Sequence, residues 1–230
     1  MLEIIAHRGA SRECLENTLP AFDRALAQGA DGIELDVHAT RDGKIVVHHD
    51  PMVRRRTHTK GPASVAIAEI DFEALHSHRL RDGQLIPSLD AVLDLVGTRA
   101  TVYIEVKGLG IEDAVVACLE RHPTSTVAVH SFDHRIPVAV RARRPGTAIG
   151  LLSASYPLDI GAIIRPAAAE ALWQQAHLID TALIREAHAC GAIVIAWTEN
   201  DPAHARMLRD LGVDALCTDT PGALRAALSV

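Results

Sequence analysis

The stretch GIELDVHATRDG, residues 32–43, decides how the fold is read. Its first six residues make a candidate strand, in which Glu34 and Asp36 point one way and Leu35 and Val37 the other. Asp42-Gly43 then reads as a turn leading into a short extra strand, 45–48.

Similar apolar runs recur on both sides of this stretch. Strands are expected at 3–6, 101–106, 126–130, 147–152, 161–164, 192–197 and 213–217, with helical patterns near 16–28, 88–96, 111–121, 133–143, 167–190, 201–211 and 221–228. Ser88, Asp133 and Asp201 stand where N-caps would, Pro202 suits a first turn, and Gly29, Gly97, Gly191 and Gly212 fall where helices should end. Strands alternating with helices imply a parallel sheet, and about eight of them favour a closed (β/α)₈ TIM barrel. An open doubly wound sheet is the alternative, but no Gly-rich dinucleotide fingerprint follows any strand. The polar span of about 51–87, rich in His and Arg, is expected to be a small rim insertion after the second strand of a single barrel domain, 1–230.

Composition narrows the class. An apolar content of 48% with 23% charged residues describes a soluble globular protein, and 3% aromatics leave a core of Ala, Val, Leu and Ile. The net charge of −6 argues against nucleic acid as a partner, despite the basic run RRRTHTK at 54–60, which reads as a solvated charged loop. Cys14, Cys118, Cys190 and Cys217 form no CxxC pair, which points to reduced thiols. No window nears the ~20 apolar residues of a spanning helix. The opening MLEIIAHRG turns polar within seven positions, so the cytoplasm is the expected compartment. A monomer or a homodimer is compatible with these features.

In a barrel of this kind chemistry collects at the C-terminal ends of the strands. His7 and Arg8 end the first strand, His49 follows the extra strand, and His130-Ser131 and Trp197-Thr198 end later ones. Glu105 and Lys107 share a face, as Glu34 and Asp36 do. Buried carboxylates converging from adjacent strands repel unless a cation lies between them, and an all-oxygen set suits one hard divalent ion, Mg²⁺ or Ca²⁺. The plain alternative for Glu34 and Asp36 is a pair of rim carboxylates bridged to Arg or Lys; for Glu105 and Lys107 it is a simple ion pair. Two imidazoles, two cationic side chains and a hard cation suit phosphoryl transfer, one histidine accepting a proton and the other protonating the leaving oxygen.

HRG at 7–9, ENT at 16–18, GIELDVHATRDG, HHDP at 48–51, IEVK at 104–107, HSFD at 130–133, AWTEN at 196–200 and LGVDALCTDTP at 211–221 together resemble the glycerophosphodiester phosphodiesterase family. The resemblance spans nearly the whole chain in order. It implies a TIM barrel and metal-dependent hydrolysis of small glycerophosphodiesters to glycerol 3-phosphate and an alcohol, through attack of the substrate's own hydroxyl and a cyclic phosphate. It implies His7 and His49 as the catalytic pair, Arg8 and Lys107 near the phosphate, Glu34, Asp36 and Glu105 as metal ligands, and Glu16 as an organiser of the site. Trp197, at a strand end, is expected either to floor the substrate pocket or to pack into the core.

Glu199 stands where the family commonly has an apolar residue, and MVRRRTHTKGP departs from the usual segment after HDP. Both put the leaving group in question. His38 is expected either to orient a ligand from behind or to be purely structural, and His48 to face opposite His49 as a packed or surface residue. His58, His76 and His78 are expected to be solvated. A lysophospholipase D-type hydrolase of lipid diesters is the second enzymatic reading; it needs a membrane-seeking insertion, where Ile67, Ile70, Phe72 and Leu75 are scattered. A non-catalytic phosphodiester-binding barrel would lack a histidine or a carboxylate of the set, and none is missing.

Overall fold

The chain was analysed as a computed structural model, which describes residues 2–54, 64–76, 78, 80 and 82–229. Strands β1 (Glu3–His7) and β2 (Gly32–Ala39) are followed by three short ones, β3 (Ile45–Val47), β4 (Met52–Arg54) and β5 (Ser64–Ala66). Six more complete the set: β6 (Thr101–Val106), β7 (Val127–Ser131), β8 (Ala148–Ser153), β9 (Ala171–Gln175), β10 (Ile193–Trp197) and β11 (Ala215–Thr218). The order β1-β11-β10-β9-β8-β7-β6-β2, with β2 pairing back to β1, closes eight parallel strands into a TIM barrel. β3 lies antiparallel on β2, and β4 pairs with β5.

Helices α1 (Leu19–Ala27), α2 (Phe72–His76), α3 (Leu89–Val96), α4 (Glu112–Arg121), α5 (Arg135–Arg143), α6 (Ile160–Ala167), α7 (Thr181–Ala189), α8 (Pro202–Leu211) and α9 (Pro221–Leu228) connect the strands. Ser88 Oγ accepts from the Ala91 N–H and Asp201 Oδ1 from the Ala203 N–H, as their cap positions predict. Leu35 and Val37 of β2 pack outward with Phe22 of α1 and Leu89 of α3. Ile5, Tyr103, Trp173, Ile195 and Cys217 plug the barrel interior. The four thiols are free. Among the described residues, no helix is long and apolar enough to cross a membrane.

The sixth strand lies elsewhere than expected. Residues 161–164 belong to α6, where Ile160 and Ile164 bury one face and Asp159 caps the start. The strand is β9, ALWQQ, inside the span expected to be helical. Its Ala- and Gln-containing sequence favours helix locally, but pairing with β8 and β10 and burial of Trp173 override that preference.

The rim insertion also has more core than its polar sequence suggests. Val46, Val53, Ile67, Ile70, Leu75 and Ile86 form a buried satellite cluster, so the apolar residues of this segment pack inward. Positions 55–60 of the basic run, with His58, and the His76 side chain lie outside the described residues.

Gly9, directly after the His7-Arg8 pair, meets a packing constraint. Its φ is +84°, and a Cβ there would lie 2.6–2.8 Å from Ala21 of α1. Gly9→Ala should therefore destabilise the fold by about 2–4 kcal/mol in urea unfolding.

Candidate active site

The register of the sheet assembles the polar layer. Asp36 on β2 lies beside Glu105 on β6, Glu105 beside His130 on β7, and His130 beside Gly150 on β8. His7 lies beside Glu34. Partners on parallel strands face the same way, so these side chains meet at the C-terminal mouth. His7, Glu34, Glu105 and His130 line an open cavity of about 130 Å³, together with Arg8, His49 and Lys107. Phe132, Leu152, Trp173 and Trp197 supply its apolar wall.

Asp36 has no exposed surface. Asn17 Nδ2 donates to its Oδ2 at 2.8 Å, Arg8 Nε lies 3.0 Å from Oδ2, and Lys107 Nζ lies 3.1 Å from Oδ1. Burial opposes its ionisation, but Arg8, Lys107 and Asn17 outweigh that and hold the carboxyl down to about 2. The placement costs backbone strain, because Arg8 and Asn17 adopt left-handed φ values of 56° and 57°. Glu16 Oε1 accepts from Arg8 Nη1 at 3.2 Å and steadies the guanidinium. Asp36 is thus bridged to both cations, and Lys107 also donates to Glu105 at 2.8 Å.

Glu34 is held differently. It accepts the Arg8 backbone N–H at 3.1 Å, and its carboxylate, the Glu105 carboxylate and a ring nitrogen of His130 all lie within 4.8 Å of one another. Burial, then Asp36 and Glu105, push the Glu34 pKa well above the ordinary carboxylate range, and burial and Asp36 raise that of Glu105. Protons or a cation would relieve that crowding. Asp36 Oδ1, buried with the Lys107 ammonium 3.1 Å away, adds a further oxygen donor. This is a candidate cation site. A second group, Asp90, Cys118 and His122, is already filled by the charges of Lys44 and Arg121 at Asp90.

Each expected catalytic imidazole meets a carboxylate through Nδ1. His7 Nδ1 lies 2.7 Å from Asp219 Oδ1, and His49 Nδ1 2.8 Å from Asp50 Oδ1. Nδ1 is then the donor, which leaves the Nε2 lone pair free for proton transfer. Asn200 Nδ2 and Ser11 Oγ donate to Asp219 at 2.8 and 3.1 Å. His38 Nε2 donates to the His49 carbonyl at 3.0 Å, so it steadies the strand end rather than a carboxylate. His48 is half-buried and does not line the cavity. Trp197 does, edge-to-face with Phe132 at 5.5 Å. Glu199 turns away from the mouth, to the Asp201 N–H at 2.6 Å and to His204, and so anchors α8.

Two partners were not anticipated from the sequence. His130 was visible as a strand-end histidine and Asp219 as the polar residue after Cys217-Thr218, so the strand-end rule applies to both. Only the closed barrel shows which residues they meet.

Residues 7–223 match the glycerophosphoryl diester phosphodiesterase family. The chain belongs to that family. Membership makes it an enzyme, a phosphoric diester hydrolase. It is 32% identical to a glycerophosphodiester phosphodiesterase of Caldanaerobacter subterraneus subsp. tengcongensis over 96% of this chain and 95% of that one. It is 31% identical to the enzyme of that name from Bacillus altitudinis, over 96% of each. Among solved structures, the Thermotoga maritima glycerophosphodiester phosphodiesterase superposes with a TM-score of 0.82 at 28% identity, covering 98% of both chains. An Oleispira antarctica phosphodiesterase, solved with the product sn-glycerol-3-phosphate, shares the fold at a TM-score of 0.88 and 24% identity, covering 99% of this chain and 97% of that one.

The His7–Asp219 contact has a measurable acid signature. Burial opposes ionisation of Asp219, but His7, Asn200 and Ser11 hold it down to about 2. A depressed carboxylate stabilises the fold fully above its unfolded pKa near 4, and that contribution is lost as pH falls towards 2. Wild type and Asp219→Asn should differ by up to about 2 kcal/mol in unfolding at pH 5 and converge near pH 2.

Proposed function

We propose that this chain hydrolyses small glycerophosphodiesters, such as glycerophosphocholine or glycerophosphoethanolamine, to glycerol 3-phosphate and an alcohol. One observation carries the proposal. Two imidazoles, each with Nδ1 on a carboxylate, face one cavity with Arg8, Lys107 and a cluster of buried carboxylates. A cavity of about 130 Å³ has room for roughly ten heavy atoms, the size of a glycerophosphoryl group. The cavity is open, so the alcohol can project outward.

One of His7 and His49 takes the proton of the substrate hydroxyl that attacks phosphorus, and the other protonates the departing alkoxide. The hydroxyl is tethered to the phosphate it attacks, which favours a cyclic phosphate that water then opens. Arg8 and Lys107 stabilise the charge that grows on the phosphoryl oxygens. Glu16 steadies Arg8, and Trp197, whose buried Nε1–H has no partner among the described residues, offers a donor to a substrate oxygen. Glu34, Asp36 and Glu105 would hold one divalent cation, Mg²⁺ or Ca²⁺ on an all-oxygen set, which neutralises charge and polarises the phosphoryl group. With that ion and a monoanionic diester bound, three carboxylates and two side-chain cations come to neutrality.

Purified protein with a divalent cation should release glycerol 3-phosphate from glycerophosphocholine, and chelation should stop it. Absence of turnover across a panel of diesters and divalent ions would overturn the proposal. His7→Ala and His49→Ala should each lower kcat by on the order of 10²-fold or more. Near-normal turnover in either would remove that residue from the proton-transfer pair.

Lipid diesters are the second reading. Among the described residues of the insertion Met52 is the one exposed large apolar side chain, whereas exposed Leu109, Phe132, Tyr156 and Leu158 lie on three consecutive loops after β6, β7 and β8. Lysophospholipids assayed beside glycerophosphocholine decide between them: faster cleavage of the lipid would favour the second reading.

A further inference from the structure

His130 stands apart from the other imidazoles of the cavity. It is 1% exposed, its Nδ1 is buried without a hydrogen-bond partner among the described residues, and its Nε2 approaches Glu34 Oε1 only to 3.8 Å. No hydrogen bond fixes this ring. Packing does: it stacks on Trp173 with centroids 4.3 Å apart and planes 9° from parallel. Gly150, beside His130 in the sheet, makes the stack possible, because a Cβ there would lie 2.8 Å from the Trp173 ring and 3.3 Å from His130 Cβ. The ring is thus held with a nitrogen within 4.8 Å of the oxygens of Glu34 and Glu105.

A buried polar side chain is ordinarily satisfied by hydrogen bonds. One that is oriented by packing alone and placed against two crowded carboxylates has the arrangement of a ligand. We propose that His130 is a nitrogen ligand of the cation held by Glu34 and Glu105, and that it shifts the site from Ca²⁺ towards divalent transition-metal ions, of which Mn²⁺ is the spectroscopic probe. The inference rests on the cation binding proposed above. Imidazole nitrogen binds first-row transition ions, Mn²⁺ the most weakly of them, whereas Ca²⁺ and Mg²⁺ take oxygen. The donor set then differs from the all-oxygen one that the carboxylates alone imply.

The test is pulsed electron spin echo spectroscopy of the Mn²⁺-loaded protein, with calorimetric Mn²⁺ and Ca²⁺ titrations. Wild type, His7→Ala and His49→Ala should all show the nitrogen-14 modulation of a coordinated imidazole, and His130→Gln should lose it. The ratio of Mn²⁺ to Ca²⁺ affinity should fall about tenfold in His130→Gln. Should that variant fail to fold, nitrogen-15 histidine labelling of the His7→Ala/His49→Ala double variant gives the same readout with His130 intact. Tight Mn²⁺ binding without imidazole modulation, or modulation that persists in His130→Gln, would overturn the role of His130 and leave the cation site standing. No binding of any divalent ion by wild type would overturn the cation site and this inference with it.

Discussion

At the mouth of the barrel a fully buried carboxylate, Asp36, lies between the Arg8 guanidinium at 3.0 Å and the Lys107 ammonium at 3.1 Å, and accepts a hydrogen bond from Asn17. Removing such a charge from water costs several kcal/mol, offset only while every partner is present. Much of the surrounding backbone serves that requirement. Arg8 and Asn17 reach Asp36 from left-handed conformations, and the Asn17 N–H donates to the Arg8 carbonyl. The two cations pair with Asp36 and Glu105, and among the described residues neither makes a side-chain ion pair with Glu34. The elevated pKa values of Glu34 and Glu105 follow first from burial and then from the carboxylates beside them, Asp36 above all.

The scaffold can carry this concentration of charge because its hydrophobic work is done elsewhere. The large apolar clusters lie between the helices and the outer faces of the strands, and Trp173, Tyr103 and Ile5 seal the interior below the polar layer. Side chains at strand ends are held by the sheet beneath them, so a site built there is more rigid than one built on loops. Trp173 serves both purposes, as plug and as the surface against which His130 is set.

Much of the site was legible before any coordinates. His7, Arg8, Glu34, His49, Glu105, Lys107 and Trp197 all line one cavity, as their strand-end positions suggest, and Asp36 lies buried beside it. The fold was legible to the same degree: seven of the eight barrel strands lie within two residues of their expected ends. The eighth failed because ALWQQ has no local strand signal and becomes β9 only by pairing with β8 and β10. Asp219 failed for a related reason, since nothing local to it indicates a histidine 212 positions away.

What the sequence determined by itself was period and face. Alternation along β2 sets Leu35 and Val37 against the helices and turns Glu34 and Asp36 inward, because successive strand side chains point to opposite sides. Tertiary structure alone decided who meets whom. The register that aligns Asp36, Glu105, His130 and Gly150, and the closure that brings Asp219 to His7, are contacts between distant segments. They depend on how the eight strands hydrogen-bond as a closed sheet, and no single strand carries that information.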